Sequence, residues 1–136
     1  METYNEFEAP YLKRIGQACG KFTIHSCGTW ERMLESVMND SNVMLVEFQC
    51  KEMDLVKVWS ITNGRLPLKV NRSKDLDERY VWDSSELFYR YVMDTLPVAI
   101  PLEMDIPADD SSVFLDALKT NSNFSSSFKR MKWEGI

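Results

Sequence analysis

Histidine occurs once in this chain of 136 residues, so any imidazole chemistry falls to His25. Cysteine occurs three times, as Cys19, Cys27 and Cys50. An odd, small count argues against a disulfide framework and for thiol or metal roles. Long apolar runs are missing, and with them any transmembrane helix, which needs about 20 consecutive apolar residues. The first residues, Met-Glu-Thr-Tyr-Asn-Glu, have no positive or apolar stretch. No secretory signal is expected there, and a cytoplasmic location is. Basic residues are in deficit: 16 Lys and Arg against 21 Asp and Glu give a net charge of −5. That balance argues against nucleic acid and against an anionic membrane surface as partners. With 44% hydrophobic and 27% charged residues, the chain is expected to form one globular domain with a real core.

The stretch that stands out is Lys21-Phe22-Thr23-Ile24-His25-Ser26-Cys27-Gly28. A short β-prone run ends in an imidazole and a thiol two positions apart. Alternate residues of a strand point to the same face, so His25 and Cys27 can reach one ion at the strand's C-terminal end. Gly28 frees the backbone to turn, and Thr29 is placed to cap a following helix. The competing reading makes His25 a hydrogen-bonded strand end and Cys27 a small packed residue.

The flanking chain reads as alternating elements. Residues 3 to 19 carry a helical stripe of Tyr4, Phe7, Tyr11, Ile15 and Ala18, with Thr3 and Glu6 as a capping box. Pro10 should kink this helix or split off its first turn. Strand 22–26 precedes a helix over 29–39 with Trp30, Met33, Leu34, Val37 and Met38 at helical spacing. Val43 to Phe48 is a nearly continuous apolar run, as in a strand buried on both faces. Asp54 caps a helix that Asn63-Gly64 closes. A strand over 66–70 and a charged loop over 71–80 follow. Asp83 and Glu86 open another helix, a strand over 98–102 is weakened by Pro97 and Pro101, and Asp109 or Asp110 caps a last helix. From Asn121 to Ile136 a polar tail is expected.

One helix followed by four βα units implies an α/β fold with a parallel sheet. Four units cannot close an eight-stranded barrel. The chain is therefore either a partial (β/α)8 barrel or a small open α/β sheet.

Several stretches together resemble the uroporphyrinogen decarboxylase superfamily, which includes the cobalamin-linked, zinc-dependent methyltransferases. They are Tyr4-x-x-Phe7 leading to Pro10-Tyr11-Leu12-Lys13-Arg14-Ile15, then Ile24-His25-Ser26-Cys27-Gly28, then Met53-Asp54-Leu55-x-Lys57-Val58. The similarity runs over roughly residues 4 to 118 and is to the C-terminal half of that barrel. It implies a half-barrel domain over 1–120, with a missing N-terminal half or a second copy as partner. In the methyltransferase branch the strand-end His and Cys bind zinc with a later cysteine, and the metal holds a substrate thiolate for attack on a methyl group. His25 and Cys27 match that pattern. The segment Ile100 to Pro107 has no cysteine. Glu103 is the expected replacement, with Cys50 as the alternative. A corrinoid, on a partner protein or as substrate, would carry the methyl group. The alternative the resemblance implies is a decarboxylase acting on a tetrapyrrole, as in porphyrin biosynthesis; that branch needs no metal, and its substrate-binding arginines and aspartate come largely from the half not matched here. A third expectation is a truncated or split product with no activity alone. Two further side chains are candidates for substrate contact. Glu47 is a carboxylate inside an apolar strand, which needs a partner. Arg72 lies just past the third strand and suits a carboxylate or phosphate.

Overall fold

The structure is a computed structural model that describes residues 3–73, 79–97 and 102–121. Four strands, β1 (Phe22–Ser26), β2 (Val43–Cys50), β3 (Leu68–Arg72) and β4 (Leu102–Glu103), make one sheet in the order β1-β2-β3-β4. Every neighbouring pair is parallel. The helices are α1 (Ala9–Cys19), α2 (Leu34–Met38), α3 (Leu55–Thr62), α4 (Ser85–Thr95) and α5 (Ser111–Thr120). The fold is α/β, as the alternation of elements implies.

Strand order follows chain order, so each crossover connects neighbours. Right-handed crossovers then lay the connecting helices α2, α3 and α4 on the same face of the sheet. The core forms there. Val46, Phe48 and Cys50 of β2 and Leu68 and Val70 of β3 are all buried to within 1%. They join Leu34 and Val37 of α2, Leu55 and Val58 of α3, and Phe88 and Val92 of α4 in one cluster. The intervening residues of β2 stand on the other face. Leu45, Glu47 and Gln49 are half-buried there, and Met44, at the irregularity where the β1 pairing skips a residue, is 49% exposed. The apolar run Val43 to Phe48 is thus buried on one face among the described residues, not on both.

Local chemistry explains the helix ends. Asp54 caps α3 by accepting from the Val56 and Lys57 N–H groups, a contact that typically stabilises by about 1 kcal/mol. Asn63 stops α3 in the left-handed conformation at φ 44°. Ser84, not Asp83, caps α4 by accepting from the Leu87 N–H. Pro10 splits the first helix as its geometry demands: a π-helical turn over Tyr4–Glu8 hands over to α1, whose second residue is the proline. Thr3 makes no capping bond. The α1 stripe is mostly outward-facing. Tyr4 is buried, but Phe7, Tyr11 and Ile15 are exposed, because α1 rests instead on the turn before β2. Gly16 makes that approach possible, since a Cβ there would stand 2.5 Å from the Asn42 side chain.

The helix expected over 29–39 is a 3-10 turn, Glu31–Met33, followed by the short α2. Thr29 does not cap it; its hydroxyl donates to the Glu52 carbonyl at 3.0 Å. The third strand begins two residues later than its apolar pattern suggests and runs on to Arg72. Residues 98–101, where the fourth strand is expected to begin, residues 74–78 of the expected charged loop and residues 122–136 of the expected tail lie outside the described residues. No described helix is long and apolar enough to cross a membrane.

The buried and open faces of β2 should differ sharply in their sensitivity to substitution. Phe48→Ala is expected to cost about 3–5 kcal/mol of unfolding free energy, and Met44→Ser to stay within about 0.5 kcal/mol of wild type. Urea denaturation of both variants checks this.

Candidate functional site

The face of the sheet turned away from the core carries the chemistry. Parallel register brings His25 beside Glu47, Glu47 beside Lys69, and Lys69 beside Glu103. One row across all four strands thus reads imidazole, carboxylate, ammonium, carboxylate. The side chains meet as the register implies. His25 Nδ1 lies 3.4 Å from Glu47 Oε2. Glu47 Oε1 lies 3.4 Å from Lys69 Nζ and accepts from Asn71 Nδ2 at 2.7 Å. Lys69 Nζ lies 3.6 Å from Glu103 Oε1 and 3.2 Å from Asp105 Oδ2.

Two residues onward, toward the strand ends, a second row begins at Cys27 and continues through Gln49 and Asn71, which are register partners. Cys27 Sγ is 3.6 Å from His25 Nε2, and Gln49 Nε2 is 3.8 Å from the same sulfur. His25 therefore stands between two partners, with Glu47 on one ring nitrogen and Cys27 on the other. A carboxylate on Nδ1 favours the tautomer that carries its proton there and leaves Nε2 as the electron-pair donor toward the thiol side. The imidazole is reachable, its side chain being 46% exposed, whereas Glu47 is 20% exposed.

The pair also suits a metal. An ion in tetrahedral coordination, at about 2.1 Å from nitrogen and about 2.3 Å from sulfur, holds those two atoms about 3.6 Å apart. The observed separation is 3.6 Å. The ring nitrogen facing the sulfur is the one Glu47 does not occupy. Among the described residues no three His, Cys, Asp or Glu side chains converge so as to hold a metal ion.

The other candidate residues are placed elsewhere. Glu103 pairs with Lys69 and lies on β4, three strands away from His25. Cys50 is fully buried on the core side of β2, and burial pushes its thiol up to about 12. Alternation along the strand turns it away from the face that bears Glu47. Arg72 is on the core side of the β3 end. Its guanidinium pairs with Asp110 at 3.4 Å and donates to the Ser85 hydroxyl. Ser85 and Tyr89 donate to the same Asp110 oxygen at 2.7 and 3.3 Å. Arg72 thereby joins β3 to the starts of α4 and α5. Burial first, then Asp110, pushes the Tyr89 hydroxyl up to about 12. Of the expected site residues, then, His25, Cys27 and Glu47 come together. Glu103 joins them only through Lys69, and Cys50 and Arg72 are engaged in the core side.

Lys69, Gln49 and Asn71 escaped the sequence reading, whereas Asp105, beside Glu103, was already a candidate site acid. Lys69 lay inside the expected strand as a polar residue between Leu68 and Val70, and Asn71 would have continued that alternation had the strand been carried to Arg72. Lys69 is the cation among these carboxylates. The hydrogen bond to Asp105 raises its ammonium pKa most; partial desolvation works against this, and the bond and charge of Glu47 add to the rise.

No protein-family model matches the chain, and no curated protein or solved structure matches it.

Two measurements follow from these surroundings. Cys19 and Cys27 are exposed and Cys50 is buried with a raised pKa, so a disulfide reagent at pH 8 should modify two thiols in the folded, chelator-treated protein. The third should react only in denaturant, which absorbance of the released chromophore counts directly. Because Lys69 is raised above its unfolded value of about 10.4, its contribution to stability is complete below that pH and lost as pH climbs through the folded-state value. The stability gap between wild type and Lys69→Met should be level from pH 7 to about 10 and narrow above that; urea denaturation across that range measures it.

Proposed function

We propose that this chain is part of a (β/α) barrel whose strand-end face binds zinc through His25 and Cys27 and serves methyl transfer to a thiol. The observation that carries the reading is the 3.6 Å spacing of His25 Nε2 and Cys27 Sγ, with Glu47 on the opposite ring nitrogen. That is the arrangement of a carboxylate-oriented histidine ligand. Sequential strand order supports the barrel half of the reading. It winds the sheet in one direction and leaves the site face without a helical layer among the described residues. All-parallel sheets are normally covered on both faces, and closure into a barrel is one way to cover the second.

Zinc in such a site supplies a substrate thiol with a lowered pKa and holds it as thiolate. The chain's own residues do the rest. Cys27 and His25 provide sulfur and nitrogen donors of the kind zinc prefers. Glu47 fixes the imidazole tautomer and ring plane. Lys69 pairs with the Glu47 carboxylate from the side opposite the imidazole. Gln49, beside the sulfur, offers an amide N–H to it or to a bound substrate. The remaining ligand positions fall to a further protein half, to residues beyond those described, or to the substrate. Glu103 stands on β4, three strands from His25, with Glu47 and Lys69 between them. A corrinoid, on a partner protein or as substrate, is the methyl carrier this reading calls for. The resemblance to the uroporphyrinogen decarboxylase superfamily, in its sequence pattern, supports the choice of methyl transfer over other zinc chemistry. No described side chain favours the metal-free decarboxylase reading.

Purified wild-type protein should carry close to one zinc per chain by inductively coupled plasma mass spectrometry. His25→Ala and Cys27→Ala should each remove it, and Cys50→Ala should not. A folded wild-type sample that takes up no zinc after incubation with the metal would rule the reading out.

A further inference from the structure

Beyond the donor pair, one acidic side chain has no expected role in metal binding yet governs the backbone around it. Glu52 lies in the turn between β2 and α3. Its Oε2 accepts the Gly28 N–H, and its Oε1 accepts the Ser73 hydroxyl at 3.3 Å. Its own carbonyl accepts the Thr29 hydroxyl at 3.0 Å. Gly28 and Thr29 are the two residues after Cys27; Ser73, only 3% exposed, is the residue after β3. A single residue therefore ties the ends of three adjacent strands together.

The approach to Glu52 is itself unusual. Lys51 has φ 84°, in the left-handed region that side chains other than glycine seldom enter. Such a conformation persists only where its surroundings over-determine it, and it clusters at functional sites. Here it turns the chain back so that the Glu52 carboxylate reaches under the β1 end. The neighbouring bonds reinforce the same junction. Trp30 N–H donates to Met53 Sδ at 3.2 Å, and Asp54 N–H donates to Glu31 Oε1 at 2.9 Å. Gly28, at φ 84°, provides the bend that presents its N–H to Glu52.

We infer that Glu52 is the positioning residue of the Cys27 site. By clamping the Gly28 amide it fixes the backbone exit from Cys27, and so holds Cys27 Sγ against His25 Nε2. Glu52 touches neither the thiol nor the imidazole, and acts through the peptide that follows Cys27. The meaning of this for metal binding rests on the zinc reading above; the geometric claim does not.

The chain's single histidine makes the claim directly measurable, because the imidazole gives one set of ring signals in a ¹H–¹⁵N spectrum. In metal-free protein the His25 ring signals of Glu52→Ala should move to those of Cys27→Ala, which lacks the sulfur contact. Glu52→Asp keeps the charge but withdraws the carboxylate by one methylene, and should behave like Glu52→Ala. Glu52→Gln keeps an acceptor oxygen for Gly28 and should retain wild-type signals. Ser73→Ala removes only the second bond and should leave them unchanged. Should Glu52→Ala fail to fold, the comparison of Glu52→Asp with Glu52→Gln decides. Wild-type ring signals in folded Glu52→Asp would overturn the inference. With cobalt(II) as the probe, the sulfur-to-cobalt charge-transfer band should titrate about 10–100-fold more weakly in Glu52→Asp than in Glu52→Gln. If wild-type protein takes up neither zinc nor cobalt, the zinc reading falls while the ring-signal result still judges Glu52.

Discussion

Along β2, Val46, Phe48 and Cys50 enter the core while Glu47 and Gln49 stand on the opposite face. The site depends on this alternation. Side chains repeat every two residues along a strand, so a slip of one residue would exchange the two sets. Glu47 would then be driven into an apolar core without a partner, and Phe48 would be turned to water. Both changes cost free energy through separate mechanisms, desolvation of a carboxylate and exposure of a large apolar surface. The burial of Phe48 thus fixes the placement of Glu47. Parallel pairing on each side then passes that placement to His25 on β1 and Lys69 on β3. The order of charges across the face follows from packing beneath it.

The chemistry above the sheet is built from groups that satisfy one another. Glu47 meets an imidazole, an ammonium and an amide. Lys69 meets three carboxylates. A half-buried carboxylate needs such partners to replace the water it has lost. On the core side, Arg72 and Asp110 play a different part, joining β3 to two helices. The two clusters share a strand but face opposite ways, and their functions separate accordingly.

Much of the architecture was readable from residue order. The strand Phe22 to Ser26, the Asp54 cap, the Asn63 stop and the role of Pro10 each rest on local chemistry that tertiary contacts left in place. The reading went astray where tertiary contacts took over. Thr29 gave up capping because the Glu52 carbonyl offered its hydroxyl a bond. The α1 stripe looked inward by period, but period alone cannot say which stripe of a helix meets the core when Gly16 permits a close approach on another side. At the site, His25, Cys27 and Glu47 were legible because their residue types are conspicuous in a β-prone run. Lys69 and Asn71 were hidden because their meaning comes from register, which relates residues more than twenty positions apart. Glu52 was invisible for a stronger reason: its role depends on a left-handed Lys51, a conformation that glycine or asparagine would announce and lysine does not.

Sequential strand order bears on how the chain comes together in time. His25 pairs with Glu47, and Glu47 with Lys69, at equal sequence separations of about 22 residues. No described strand must wait for a distant one to reach its neighbour. Each new βα unit meets a surface that the preceding unit has already offered. Loop-closure entropy rises slowly with length, so these short, equal closures are among the least costly ways to build a parallel sheet. A chain emerging from the ribosome could therefore bring His25 and Glu47 together before β3 and β4 are made, with the remaining strands adding in order along one edge.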